Sequence, residues 1–361
     1  MAEYDLTKVL KILSRSDVSN RHPNLWRYRE LLPVFDDAMI VSLGEGWTPI
    51  LKTGILGESI GIPKLYIKEE AYNPTGSFKA RGLCLAVSKA KELGITEAAM
   101  PSAGNAGGAL AAYASRAGIK AHVFVPNDTP AANIAEVSIY GAQAYLVDGV
   151  ISDAGKLMND MRKGTNWFDM STMKEPYRLE GKKTMGYEVA EQFDWDLPDV
   201  IIYPTGGGTG LIGMWKAFAE METLGWLTGK RPKMVSVQAA GCAPIVKAFN
   251  EHKMSAEFWQ NSSTLASGLR VPKAFADDLI LDALRDSNGT AIAVTDDEIM
   301  REMKSVAASE GLLLCPEGAA TVAAAKSLAE SGFISSKDTV LLFNTGSGYK
   351  YIELLKKLAR D

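Results

Sequence analysis

Asn73-Pro74-Thr75-Gly76-Ser77-Phe78-Lys79-Ala80-Arg81-Gly82 is the stretch on which the reading of the fold turns. An apolar run at 65–67 precedes it, and a helical pattern over 78–93 follows, closed by Gly94. Asn-Pro and Thr-Gly are turn signals. Ser77 is the expected N-cap, since its hydroxyl can accept a hydrogen bond from a first-turn amide. The stretch is therefore a strand–turn–helix connection with Lys79 in the first helical turn. The positive end of the helix dipole disfavours an ammonium there. The same field, with some desolvation, favours the neutral amine that a Schiff base requires. A solvated lysine on a helix end is the alternative reading.

Outward from this stretch the same unit recurs. Apolar runs at 98–100, 121–125, 142–147, 167–170, 200–203, 234–237, 290–294 and 340–343 read as strands. Helical patterns lie between them, several closed by glycine, as at Gly118 and Gly141. Strands alternating with helices imply right-handed βαβ units and parallel sheets. The run 200–203 is apolar throughout, as a strand buried on both faces should be. The alternation divides the chain into a small lobe, 71–185, inserted into a larger one built from 1–70 plus 186–361. Ligands of such folds bind in clefts at the carboxyl ends of strands, so the expected architecture is a two-lobed α/β fold with its active site in the cleft between the lobes.

Composition narrows the class. The 361 residues are 47% hydrophobic and 23% charged, with a net charge of −4. That balance is ordinary for a globular enzyme and gives no support to nucleic-acid binding. No apolar run reaches membrane-spanning length. The start, Met1-Ala2-Glu3-Tyr4-Asp5, has no signal-peptide pattern, so the cytoplasm is expected. Cys84, Cys242 and Cys315 form no CxxC pair, and His22, His122 and His252 lie far apart, so no metal site is expected. Cys84 and Cys315 read as core residues.

The segment Gly206-Gly207-Gly208-Thr209-Gly210 follows the buried run at 200–203 and opens a helix. Consecutive glycines let amides converge on an anion, and the helix N-terminus adds a favourable field. Thr209 adds a hydroxyl. A phosphate site and a tight βα turn without a ligand are the two readings. The same segment spells Gly208-x-Gly210-x-x-Gly213, but a dinucleotide site expects an acidic residue at the end of the next strand. That strand ends in Gln238-Ala239-Ala240, and no Gly-Lys-Ser/Thr P-loop is present.

A first-turn lysine together with a phosphate loop points to pyridoxal 5'-phosphate. The stretch around Lys79 resembles the Schiff-base lysine motif of fold-type II pyridoxal-phosphate enzymes, the tryptophan synthase β-like superfamily. Ser102-Ala103-Gly104-Asn105 resembles its Ser-x-Gly-Asn loop, Gly206 to Gly210 its cofactor-phosphate loop, and Asn344-Thr345-Gly346-Ser347-Gly348 the segment whose hydroxyl faces the pyridine nitrogen. Within that superfamily, Leu25-Trp26-Arg27-Tyr28, Ser42-Leu43-Gly44-Glu45-Gly46-Trp47-Thr48-Pro49 and Pro176-Tyr177-Arg178-Leu179-Glu180-Gly181-Lys182-Lys183-Thr184 look like threonine synthases.

The resemblance implies roles. Lys79 holds the cofactor and then transfers protons. Asn105 bonds the ring's phenolic oxygen. Gly206, Gly207, Gly208, Thr209 and Gly210 hold the cofactor phosphate. Thr345, or Ser347 as second choice, meets the pyridine nitrogen, and a neutral hydroxyl there leaves the ring unprotonated. The backbone across Ser102, Gly104, Ala106 and Gly107 takes the substrate carboxylate. Arg178 and Lys183 take a distal anion, with a structural salt bridge as the other reading of Arg178. The implied activity is conversion of O-phosphohomoserine and water to threonine and phosphate by a homodimer. The alternative is β-elimination or β-replacement on another amino acid. Ala80 stands where the family has Asp, and Met170-Ser171-Thr172-Met173-Lys174-Glu175-Pro176 replaces an Asn-Ser-x-Asn-Pro pattern. A carboxylate at Glu175 is expected to repel a substrate phosphate.

Overall fold

A computed structural model describes residues 1–360. The strands are β1 (Ile50–Lys52), β2 (Leu65–Glu69), β3 (Glu97–Pro101), β4 (Lys120–Pro126), β5 (Gln143–Val147), β6 (Phe168–Asp169), β7 (Val200–Pro204), β8 (Lys233–Ala239), β9 (Thr290–Val294) and β10 (Val340–Asn344). They form two sheets, ordered β5-β4-β3-β6 and β1-β2-β10-β7-β8-β9. All pairings are parallel except β1 with β2, where Ile50 faces Lys68.

The chain divides into two compact units. The first holds Met1–Trp47 and Asn73–Thr184; the second holds Thr48–Tyr72 and the described chain from Met185. The sequence reading assigns the first 47 residues to the larger lobe, whereas they pack with the smaller sheet. The reason is chemical. Leu25, Trp26, Leu32, Val34 and Val41 join Leu83, Val87, Ala109, Leu110 and Val123 in one buried core. Glu45, fully buried, then staples the segment: its carboxylate accepts from the Trp26 indole at 2.9 Å and from the Tyr113 hydroxyl at 2.7 Å. A buried carboxylate is tolerated when several donors meet it.

In the first unit, helix Lys79–Glu92 packs on helix Asn105–Ala117, and both cover the sheet. Their contact faces are rich in alanine and glycine, which lets the helices approach closely. The second unit's core gathers Ile67, Ile202, Val235, Val237, Val322 and Leu342 from its sheet and the helix Pro316–Glu330. Each fully buried aliphatic side chain there contributes about 2 kcal/mol of transfer free energy. The apolar runs read as strands all form strands. Elements beyond that reading include β1, only three residues long, and the helix Asp277–Asp286. That helix buries Ile280, Leu281, Ala283 and Leu284, a spacing of one helical face.

Candidate active site

In the first unit, Lys79 is the first residue of its helix, as the sequence predicts, but Phe78 and not Ser77 is the N-cap. Ser77 stays extended, and its buried hydroxyl has no partner among the described residues. Thr75 takes the left-handed conformation at φ 60°, and its buried hydroxyl is likewise unpartnered. A non-glycine residue there costs on the order of 1–3 kcal/mol, a strain that clusters at functional sites. The Lys79 amine lies over the Phe78 ring, 4.5 Å from its centre.

The turn Pro74–Gly76 packs against helix Asn105–Ala117. That helix starts at the carboxyl end of β3 and has no side-chain cap. Ser102 is consumed locally: its Oγ accepts from the Gly107 amide at 2.8 Å and donates to the Gly104 carbonyl at 3.0 Å. Gly107 therefore does not offer its amide to a carboxylate, contrary to the sequence expectation. The amides of Asn105 and Ala106 make no hydrogen bond among the described residues. The Asn105 side-chain oxygen is buried without a partner. Beyond β4, Thr129 and Asn133 repeat the theme, each with one unpartnered buried oxygen.

Past β6, helix Tyr177–Gln192 carries the remaining basic residues. Arg178 is buried, and its Nη1 donates to the Met170 carbonyl at 2.7 Å, while its Nε has no partner among the described residues. Glu175 accepts from the Arg178 amide at 3.0 Å, and its other oxygen is unpartnered. Burial pushes the Glu175 carboxyl up, with the Arg178 charge opposing. A carboxyl held toward its neutral form does not repel an anion as a surface carboxylate does.

The two adjacent lysines separate. Lys183 is fully buried against Glu180 at 2.9 Å and the Leu31 carbonyl at 2.8 Å, so the fold uses it in a structural pair rather than at the site. Lys182, also fully buried, lies 5.6 Å from the centre of the same Phe78 ring that Lys79 covers. Burial drives its amine well down, helped by the Arg178 and Lys79 charges and opposed by Glu175. The sequence reading names Lys183; the structure places Lys182, not Lys183, on the helical face of Arg178. Helical spacing carries the signal: Arg178 and Lys182 are four apart and share a face, whereas Lys183 pairs with Glu180 three earlier.

In the second unit, the loop after β7 opens helix Thr209–Thr223. Gly208 is its N-cap at φ 69°, a conformation suited to glycine. A Cβ on Gly206 would stand 2.2 Å from the Gly268 carbonyl, so packing alone demands glycine there. The case for an anion rests elsewhere. The amides of Gly206, Gly207, Gly208 and Gly210 make no hydrogen bond among the described residues, and three of these four glycines are buried. Buried amides without partners call for an acceptor. Thr209 is buried at the same helix start. Gln238 braces the loop: it donates to the Thr205 carbonyl at 3.0 Å and accepts from the Ile245 amide at 2.8 Å.

At the end of β10, Thr345 is buried with its Oγ1 4.0 Å from Cys315 Sγ. Ser347 is committed to capping the turn Gly348–Tyr351, accepting from the Tyr349 amide at 3.3 Å. Sequence reasoning passed over Lys182, Glu69 and the polar role of Cys315. Cys315 was taken for a core residue because three leucines precede it.

These residues fit pyridoxal phosphate. In the second unit, unfilled amides at a helix start suit its phosphate; in the first, an amine at the start of a helix suits its aldehyde. No cluster of metal-ligating side chains is present among the described residues. The pyridoxal-phosphate dependent enzyme family model matches residues 41–346. Threonine synthase of Methanocaldococcus jannaschii is 36% identical over 348 residues, covering 96% of this chain and 85% of its own. Threonine synthase of Methanosarcina acetivorans is 39% identical, covering 90% and 79%. Among solved structures, processed threonine deaminase isoform 2 from Solanum lycopersicum aligns with a TM-score of 0.74 at 21% identity, over 93% of each chain. Maize serine racemase aligns with a TM-score of 0.72 at 24% identity, over 87% of this chain and 93% of its own. The chain belongs to the pyridoxal-phosphate dependent enzyme family and, within it, to the group of threonine synthases.

Proposed function

We propose that the protein is a threonine synthase that converts O-phospho-L-homoserine and water to L-threonine and phosphate. The observation that carries this reading is likeness to threonine synthases over nearly the whole chain. Support also comes from Arg178, a buried guanidinium whose Nε meets nothing among the described residues, with Lys182 one turn on along the same helical face. The Lys79 amine would hold the cofactor aldehyde, Asn105 its phenolic oxygen, Gly206, Gly207, Gly208, Thr209 and Gly210 its phosphate, and Thr345 its ring nitrogen. When bound, pyridoxal phosphate supplies a sink for negative charge developing on the substrate's carbons.

The chain's own residues do the rest. Lys79 Nζ takes and returns protons at the substrate's carbon atoms, a role worth about 10²- to 10⁴-fold in rate. The amides of Asn105 and Ala106 hold the substrate carboxylate against the helix dipole. Arg178 and Lys182 hold the substrate phosphate and steady it as it leaves. Glu175, kept toward its neutral form, admits that phosphate. A cytoplasmic homodimer completes the reading, supported by the family resemblance, and light scattering of the purified protein measures its mass.

Incubation of the cofactor-loaded protein with O-phosphohomoserine tests the reaction. Equimolar phosphate and threonine are expected. Release of ammonia and a 2-oxo acid from threonine or serine, with no turnover of O-phosphohomoserine, would replace this reading with a β-elimination.

A further inference from the structure

At the start of helix Tyr177–Gln192 the first unit leaves two buried polar atoms of opposite character unmet among the described residues. One is Arg178 Nε, a donor; the other is Glu175 Oε1. The two side chains do not pair with each other. Arg178 spends Nη1 on the Met170 carbonyl at 2.7 Å, and no ion pair among the described residues joins it to Glu175. What ties them is backbone, since Glu175 Oε2 accepts from the Arg178 amide at 3.0 Å. A carboxylate buried beside a guanidinium closes on it, because an unpaired charge away from water is costly. Here the guanidinium keeps a donor in reserve, and burial holds the carboxyl toward its neutral form. A neutral carboxyl carries one O–H donor. With Oε2 accepting from the amide, that hydrogen belongs on Oε1.

The charges around this carboxyl all come from the first unit. Arg178 and Lys182 stand on the helix that follows it, Asp169 at the end of β6 faces Arg178, and Lys79 faces Lys182. The helices that carry them cross closely: a Cβ on Gly82 would stand 2.8 Å from the Arg178 carbonyl and 3.1 Å from Lys182 Cε. Gly82 lies one turn beyond Lys79 on its helix. The Schiff-base lysine and the Glu175–Arg178 corner are thus brought together at one helix crossing.

We propose that Glu175 is a catalytic acid: its Oε1–H supplies the proton that accompanies departure of the substrate's phosphate, while Arg178 holds that phosphate. This rests on the reaction given under the proposed function. Lys79 takes a proton from the substrate's β-carbon, and the electron pair left there forms the double bond to the γ-carbon. The bond between the γ-carbon and the bridging phosphate oxygen breaks. That oxygen keeps the electron pair and takes the Glu175 proton. Glu175 is left as a carboxylate, which repels the released phosphate, and it regains a proton from water before the next turnover. One side chain thus admits the phosphate when neutral and helps to expel it when charged.

The test compares wild type with Glu175→Gln, both full-length and cofactor-loaded, turning over O-phosphohomoserine across a range of pH. Glutamine keeps an oxygen for the Arg178 amide and an N–H for the phosphate but has no proton to give. KM should stay close to that of wild type while kcat drops by about 10²- to 10⁴-fold. A general acid must hold its proton, so wild-type kcat should fall as pH rises through the titration of the carboxyl, and the variant should lack that limb. A second measurement needs no turnover. The carboxylic-acid infrared band present in wild type and missing from Glu175→Gln should persist above the ordinary carboxyl range, and to higher pH when inorganic phosphate is added, because a nearby negative charge favours the protonated form. A variant with wild-type kcat, or one that loses only KM, overturns the proposal and leaves the reaction standing. A band that vanishes within the ordinary carboxyl range overturns it as well, since Glu175 would then be a carboxylate. If Glu175→Gln does not fold, the wild-type pH profile decides, and the absence of the falling limb overturns the acid. If wild type releases no phosphate from O-phosphohomoserine, the reading of the reaction fails and the proposal falls with it.

Discussion

The two units differ in degree: the first leaves more buried side-chain polar atoms unmet than the second, where Ser236, Ser309 and Glu317 keep one each. In the second, Lys68 is fully buried, yet its amine meets Glu188 at 2.9 Å, the Thr48 carbonyl at 2.7 Å and Gln192 at 2.7 Å. In the first, Thr75, Ser77, Asn105, Thr129, Asn133, Glu175 and Arg178 each bury a polar atom that meets nothing among the described residues. A folded chain seldom leaves such atoms unmet, since each costs about 1–3 kcal/mol. The difference separates groups that hold the fold from groups that wait for a ligand. Changing the first kind should cost stability; changing the second should cost function and leave the fold intact or firmer.

The largest effect belongs to Lys79. Lys79→Ala should lower turnover by at least about 10³-fold and remove the visible band of the holoprotein, with thermal unfolding of the apoprotein unchanged. Glu188→Ala makes the opposite case. It strands a buried ammonium and should cost about 3–5 kcal/mol in denaturant unfolding. If that variant unfolds like wild type, the Lys68 network is not what holds the second unit.

Glu69 sharpens the comparison, because it is paired yet strained. Burial pushes its carboxyl up to about 7, against the Asn344 and Ala71 hydrogen bonds, which pull it down. The folded protein therefore holds a proton at pH values where the unfolded chain, near 4.5, has lost it. Stability falls as pH rises through that window, by on the order of 3 kcal/mol once pH exceeds about 7. Glu69→Gln should flatten this slope in pH-dependent unfolding. The smallest effect is at Asn105. Asn105→Ala should leave apoprotein stability within about 1 kcal/mol of wild type but lower kcat/KM by about 10- to 100-fold, the worth of a hydrogen bond to a charged partner.

The sequence made the satisfied frame legible and the unsatisfied site only partly so. Parallel strands announce themselves as apolar runs because both faces are covered, and Lys79, Gly208 and Thr345 sit in recognisable turns after such runs. That Lys182 shares the face of Arg178 while Lys183 pairs with Glu180 is a matter of helix phase, which a motif read as a string does not carry. The backbone of Ser102 and Gly107 reads as an anion donor, but the Ser102 amide donates to the Phe124 carbonyl at 2.9 Å and the Gly107 amide to Ser102 Oγ at 2.8 Å. Residues 1–47 were misplaced because nothing in their local pattern names the core they join. That choice was made by Glu45, through partners 19 residues before and 68 residues after it.

The pairing of β2 with β10 also bears on synthesis. The Glu69–Asn344 hydrogen bond joins residues 275 positions apart. Ribosomes add about 5–20 residues per second, so tens of seconds separate the emergence of these two strands. Everything in the first unit has been made while β10 is still uncoded into chain, and the edge of β2 must wait with its backbone groups open. The Thr345 end of the site is the last part to be translated. A nascent chain stalled before residue 340 should hold a finished Lys79 helix and no place for the cofactor ring, which makes β2 the segment a chaperone would need to guard.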